Sequence, residues 1–481
     1  MAKQARSGTL HGSQVLALQR TFQQTPNWSR LDRWLKPLLT AAVHPDERQD
    51  AILKTGAWLR TIREFERAQH CLELLNWRSA GGQAWLQRGL VLQQLNQIDA
   101  AEAALRRACR DGSTVAAAAY HLGLLHRSKG QFDQAVRWLL RSLKRDADPA
   151  YVHTVLQYCR CSTTMLPAIK RFYQKLHRRH PERALPLQQL SLYQQRQGNL
   201  IESAQTAQKA ARLELGDRAR WLADEQEPPT PPDFLILGVP KGGTTSLFAW
   251  LREHPKIWGH PRKELHFFDG DYHFGESWYC AQFPRFTNGS GILRGEATPN
   301  MFSHPQAPAR ITRLIPDVKA VVLLRDPVKR AVSWIHHLQR LEGLQGSVES
   351  WLTQELHILQ SLDADALTRS ERIGTGALQD SLYDLHLKRW QTSLADPQQL
   401  LLISSEQLFH DPKSQLSAVL EFLGLDPDPQ PWMQLWVARN VNPGGRATLP
   451  NTLNASLRNF LQEQCEQSMT KLGASPLGWF G

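Results

Sequence analysis

No apolar run of roughly 18 residues occurs anywhere in the 481-residue chain, so no membrane-spanning helix is expected. The N-terminus also lacks the charged, apolar and small-residue succession of a secretory signal. Cysteine is scarce. The six, at positions 71, 109, 159, 161, 280 and 465, follow no disulfide-framework spacing. Cys159 and Cys161 have no second pair to complete a metal site, so no bound metal is expected, and reduced thiols in a cytoplasmic protein are the default. Acidic charge is short in the first half alone: residues 1–220 carry 34 Lys and Arg against 17 Asp and Glu, and residues 221–481 carry 23 against 28. That surplus suits an anionic partner, and it equally suits solvated helix faces. With 41% hydrophobic and 21% charged residues the chain is globular, and its length calls for two or three domains.

What is present first is a repeat. "AWLQRGLVLQQLNQIDAAEAALRRA" (84–108) and "AYHLGLLHRSKGQFDQAVRWLLRS" (119–142) align without gaps, with Gly89, Asp99, Ala101 and Leu105 matching Gly123, Asp133, Ala135 and Leu139. Each pair lies 34 apart, the period of tetratricopeptide helix hairpins. The small residues let two helices approach, and Leu105 and Leu139 fill the layer between hairpins. An earlier copy (56–75) is offset by 33. A later one (190–215) keeps Gly198 at twice 34 from Gly130, with a degenerate copy over 150–183 between them. Residues 1–223 read as an all-α solenoid.

Residues 224–232 hold four prolines in five positions, a stiff connector that stops the helical pattern. From 233 to 481 the period changes. Short apolar strands at 234–237, 320–324 and 400–403 alternate with helical stretches, which predicts a three-layer α/β domain on a central parallel sheet. In such sheets ligands sit at the carboxyl ends of strands.

Two motifs fall at those ends. In "GVPKGGTTSLFAWLREHP" (238–255), Gly242 and Gly243 let the backbone curl, and Thr244, Thr245 and Ser246 place hydroxyls and amides at a helix N-terminus that favours an anion. Lys241 adds a mobile cation. The lysine precedes the glycines and no GK[ST] triplet exists, so this is a relative of the nucleoside-triphosphate loop and not a copy of it. In "LLRDPVKRAVSWIHH" (323–337), Arg325 ends a strand, Pro327 suits a first helical turn and Ser333 follows two turns in. Arg325 and Ser333 can serve one phosphate, the arginine bidentately. An Arg–Asp pair at a strand end can equally be structural.

Together these motifs resemble the 5′- and 3′-phosphosulfate-binding segments of sulfotransferases that use 3′-phosphoadenosine 5′-phosphosulfate. The resemblance spans roughly residues 232–481. It is closest to the glycan branch typified by heparan sulfate sulfotransferases, through "KELHFFDGDYHFGESWYCAQFP" (263–284), "GEATPNMF" (295–302), "SLYDLHLKRW" (381–390) and "SSEQLFHDPKSQLSAVLEFLGL" (404–425). The resemblance implies that Lys241 through Ser246 hold the 5′-phosphosulfate and that Arg325 and Ser333 hold the 3′-phosphate. It implies further that Gly445 and Arg446 of "NPGGRAT" close over the nucleotide. Sulfuryl transfer needs a base for the acceptor hydroxyl and a cation for the departing phosphate. Lys241 is the cation. In the glycan branch the base is the glutamate matching Glu264. His266 is the second choice, since other branches use histidine. If 263–269 is extended, Glu264 and His266 share a face and Lys263 points away. The alternative is that Glu264 only pairs with Arg262 or Lys263. Asp269, His273 and Trp278 can line an acceptor channel or merely pack. The 3-O branch has a lysine where this chain has Ala297, which argues against a heparan-type acceptor.

The resemblance implies a glycan, glycolipid or peptide acceptor, a protein partner on the repeats, no metal and no nucleic acid. Golgi relatives need an anchor, so a cytoplasmic, bacterial setting is expected. The rival readings are a tyrosine sulfotransferase fed by the repeats, a nucleotide kinase, and a catalytically weak scaffold.

Overall fold

The computed structural model describes residues 45–216, 222, 229–287, 289–342, 344–369, 372–427, 449–472 and 479. Gly445 and Arg446, and the first five residues of the proline-rich connector, lie outside them. By contacts the chain falls into two compact units divided between Ile169 and Lys170.

In the first unit three helix hairpins follow the predicted period: Pro45–Thr61 with Phe65–Glu73, Gly82–Gln94 with Ile98–Ala108, and Val115–Ser128 with Phe132–Arg145. The packing rule read from the sequence is visible in atoms. A methyl group built on Gly56, Gly89 or Gly123 would lie 2.6, 2.6 or 2.8 Å from Leu72, Leu105 or Leu139 of the facing helix. Those leucines are essentially inaccessible, so glycine is what lets the second helix bury its leucine. The turns repeat as well. Arg63, Asn96 and Gly130 all take left-handed backbone, with φ of 67°, 58° and 71°.

The second unit begins within the helix Leu166–Arg179 and continues with helices Leu185–Arg196 (α1) and Leu200–Leu215 (α2), the last copy of the repeat. Gly198 (φ 80°) turns between them, matching Gly130. Ala211 and Leu215 of α2 belong to the same hydrophobic cluster as Leu235, Leu237 and Val322 of the sheet domain. The proline-rich stretch interrupts the repeat pattern, but the packing boundary comes earlier because α2 is buried against the sheet's core.

Five parallel strands make that sheet: β1 (Phe234–Gly238), β2 (Ile257–Gly259), β3 (Leu293–Ala297), β4 (Lys319–Leu324) and β5 (Leu400–Ser404), in the order β2-β3-β1-β4-β5. Three of them stand where the apolar runs predicted strands. Alternate residues face opposite layers. Leu235, Leu237, Ala320, Val322 and Leu324 enter one core, and Phe234, Ile236, Val321 and Leu323 enter the other. Sandwiched strands of this kind read as unbroken apolar runs. β1 is central, with β3 on one side and β4 on the other, so a crevice is expected beyond its carboxyl end. Helix α3 (Thr244–Arg252) follows β1 and helix α4 (Pro327–Glu342) follows β4.

The glycine–leucine contacts give a stability test. Gly89→Ala should destabilise the chain by about 1–3 kcal/mol through overpacking against Leu105. Gly112→Ala, where nothing lies within 4 Å, should stay within about 0.5 kcal/mol of the parent. Urea titrations of both variants decide it; equal midpoints would refute the packing argument.

Candidate active site

The turn after β1 is built for close approach. A methyl group on Gly242 would sit 2.7 Å from the Leu323 carbonyl oxygen and 2.9 Å from that of Val239. Gly243 has φ 98°, open to glycine at no steric cost, and a side chain there would press on Phe409 at 3.0 Å. Lys241 also takes left-handed backbone, φ 70°. Val239 N–H donates to the Leu323 carbonyl at 2.9 Å, which ties the turn to the end of β4. The amides of Thr244 and Thr245 then open α3 ahead of its first intrahelical bonds, and the helix dipole favours an anion there. Thr244 and Ser246 are buried; Lys241, Gly243 and Thr245 are half-buried.

The second motif meets the first directly. Arg325 Nη1 donates to the Lys241 carbonyl at 2.9 Å. Its own carbonyl accepts from Tyr383 Oη at 2.7 Å. Asp326 is structural: fully buried, it accepts from Lys329 N–H at 2.9 Å to start α4 and pairs with Arg458 at 3.4 Å. Pro327 opens α4 as the sequence predicts. Ser333 is buried on α4, and one turn further His337 accepts from Lys241 Nζ at 3.5 Å. The turn is a cradle of amides with one lysine and one arginine at its rim, which fits a nucleotide's anionic groups.

The stretch 263–269 departs from the expected geometry. It is not extended: Glu264 and His266 have φ of 68° and 56°, so the two-residue alternation fails and Lys263 does not face away. Lys263 Nζ instead makes a close ion pair with Glu264 Oε1. His266 Nε2 lies 3.8 Å from Glu264 Oε2, and its Nδ1 is 2.8 Å from Asp269 Oδ2. Left-handed backbone at two non-glycine residues costs on the order of 1–3 kcal/mol each, so surrounding contacts must hold it. One is the bond from Glu264 N–H to the Ala297 carbonyl at 3.0 Å, at the end of β3. Burial pushes the Glu264 carboxyl up, but the charges of Lys263, His266 and His337 outweigh it and leave it below its ordinary value. Burial pushes His266 down, yet Asp269 and Glu264 win and raise it.

His337, Lys263 and Glu296 were not legible as site residues. Glu296 sits in "GEATP" on β3, fully buried, accepting from Thr298 Oγ1 at 2.7 Å and Tyr279 Oη at 2.8 Å. Thr298 Oγ1 also lies 3.5 Å from the His266 amide. Desolvation pushes the Glu296 carboxyl up to about 7 against the two hydrogen bonds that oppose the shift. No group of His, Cys, Asp and Glu among the described residues forms a metal-binding cluster. No helix among them is long and apolar enough to cross a membrane.

The raised Glu296 has a pH signature. Its neutral form stabilises the fold fully below the unfolded value near 4.5, and that contribution is lost as pH rises toward about 7. Glu296→Gln should therefore be near neutral at pH 4.5 and stabilising by about 1–3 kcal/mol at pH 8. Denaturant melts at the two pH values test this; a pH-independent difference would refute it.

Residues 231–440 match the sulfotransferase domain family, and residues 82–110 and 116–149 match the tetratricopeptide repeat family. Heparan sulfate glucosamine 3-O-sulfotransferase 3B1 of Mus musculus is 37% identical over 194 residues, 40% of this chain and 46% of that protein. Bifunctional heparan sulfate N-deacetylase/N-sulfotransferase 4 of Mus musculus is 33% identical over 202 residues, 41% of this chain and 22% of that protein. The chain thus spans about half or less of the length of these curated relatives. A sulfotransferase of solved structure from Alicyclobacillus acidocaldarius is 25% identical, covering 52% of this chain and 99% of that one at a TM-score of 0.41. The C-terminal part of this chain is thus similar to sulfotransferase domains, and it follows two stretches that match tetratricopeptide repeats.

Proposed function

We propose that the protein transfers the sulfuryl group of 3′-phosphoadenosine 5′-phosphosulfate to an acceptor hydroxyl, of a glycan or glycolipid first and of a peptide tyrosine second. The observation that carries this reading is the bond from Arg325 to the Lys241 carbonyl. It puts a second cationic anchor beside the amide cradle, as a nucleotide with phosphate on both sides of its ribose requires. A kinase reading has no use for that second anchor. The amides of Gly243, Thr244 and Thr245, with the side chains of Lys241, Thr244, Thr245 and Ser246, receive the 5′ end, and Arg325 with Ser333 receives the 3′-phosphate.

In the reaction a sulfur–oxygen bond forms to the acceptor while the bond to the 5′-phosphate breaks, and the acceptor proton passes to a base. Glu264 is that base. Its depressed pKa keeps it ionised at neutral pH, and the adjoining cations trade basicity for that charge. Lys241 neutralises charge appearing on the leaving phosphate. His266, held by Asp269, borders Glu264 and is the second candidate for the base. Among curated proteins the similar ones named above act on heparan sulfate, which favours a glycan. Ala297, in place of the 3-O branch's lysine, argues against a heparan-type site, and the basic surplus of residues 1–220 suits an anionic acceptor.

Isothermal titration with 3′,5′-ADP and with ADP tests the nucleotide reading. The parent should prefer 3′,5′-ADP, and Arg325→Ala should erase that preference, costing at least about tenfold in affinity for 3′,5′-ADP and little for ADP. Equal affinities in the parent would overturn the assignment. In a labelled-sulfate assay over glycan, glycolipid and peptide acceptors, Lys241→Ala and Glu264→Ala should each lower kcat by at least about a hundredfold. Nucleotide binding without turnover in the parent would favour a scaffold.

A further inference from the structure

We infer that Gln195, on the last repeat helix, is a positioning residue for the acid–base stretch, so that the catalytic unit begins inside the repeat array. Gln195 is in the last turn of α1 and only 6% exposed. Its carboxamide is used at both ends. Oε1 accepts from Arg262 Nη1 at 2.9 Å, and Nε2 donates to Asp271 Oδ2 at 2.9 Å. Those partners bracket Lys263, Glu264, His266 and Asp269. One side chain therefore closes the two ends of the stretch that carries the base.

The bracket reaches the chemistry through backbone. Asp271 N–H donates to the His266 carbonyl at 2.8 Å, closing a wide turn of five residues directly after the left-handed His266. On the other side, Arg262 N–H donates to His260 Nδ1 at 3.2 Å, next to the end of β2. Glu264 and His266 hold backbone conformations that non-glycine residues leave unless neighbours fix them. The Ala297 carbonyl fixes the middle, and Gln195 fixes the two ends. Gln195 is itself anchored, because the left-handed Gly198 donates its N–H to the Gln195 carbonyl at 2.9 Å. A glutamine suits this place: it offers one acceptor to the guanidinium and one donor to the carboxylate, as no carboxylate or ammonium could.

The inference rests on the reading of Glu264 and His266 as the base and its neighbour, and the test keeps the two separable. In the full-length chain, Gln195→Leu removes both hydrogen bonds at similar volume. Amides of residues 263–271 should then exchange hydrogen at least about tenfold faster, while those of 238–246 keep their rates. kcat should fall about tenfold with affinity for 3′,5′-ADP within about twofold of the parent. Gln195→Glu sets two carboxylates face to face and should behave like Gln195→Leu. Adding Asp271→Asn gives the new carboxylate a donor, and the Gln195→Glu, Asp271→Asn pair should recover kcat and exchange to within about threefold. Unchanged exchange over 263–271 in Gln195→Leu, or a double variant no better than Gln195→Glu, overturns the brace. A parent that transfers no sulfate overturns the proposed activity, and the exchange rates still decide the brace.

Discussion

A single guanidinium-to-carbonyl bond, Arg325 onto Lys241, ties the turn after β1 to the residue that follows β4. With the Val239–Leu323 backbone bond beside it, the first turn cannot shift without the second strand. The glycines follow from that closeness, since the Leu323 carbonyl occupies the space a side chain at Gly242 would need. Amide cradle, lysine and arginine thus form one rigid set. Preorganised donors of this kind stabilise developing charge without having to reorganise during the reaction. The parallel sheet supplies the rigidity: both strands are buried on two faces, and their alternate residues lock into separate cores.

Charge around Glu264 is balanced at close range. Lys263, His266 and His337 press its carboxyl toward ionisation, while Asp269 takes up His266 from the far side. Glu296, on β3, is pushed up to about 7 because burial outweighs its two hydroxyl donors. Two carboxyls with opposite shifts therefore stand behind one histidine, the half-buried one charged and the fully buried one poised. Environments that push neighbouring acids apart in this way mark the places where a fold separates proton-holding from proton-taking groups.

Much of this was readable from residue order. The 34-residue spacing located the hairpins and the small residues where their helices meet, because helix packing repeats whenever the small and large positions repeat; the contact of Gly89 with Leu105 of its own hairpin is seen only in the structure. β1, β4 and β5 were legible as apolar runs. β3 was not, since "LRGEA" carries an arginine, a glycine and a glutamate and looks like loop. The phosphate-type turn was legible because its chemistry lies within one short segment. The pairing of Lys263 with Glu264 was legible only as the alternative to a catalytic Glu264, and the left-handed backbone at Glu264 and His266, which breaks the expected alternation, was not legible at all. His337 was hidden for another reason. Its partners, Lys241 and Glu264, come from distant segments, and only its place one turn beyond Ser333 could have pointed to it.

The contrast between the proline-rich stretch and the packing boundary has the same root. Prolines at 228, 229, 231 and 232 end a helical periodicity, and periodicity is what a sequence shows. Compactness depends instead on where apolar faces find cover. α2 carries Ala211 and Leu215 on a face that the repeat pattern assigns to a next hairpin, and no further hairpin follows it among the described residues before the sheet. A solenoid's terminal repeat must cap that face or bury it elsewhere. Here the sheet domain's core takes it, so the last repeat serves as an outer layer of the second unit, and the residues of its partner α1 come within reach of the strained stretch beside β3.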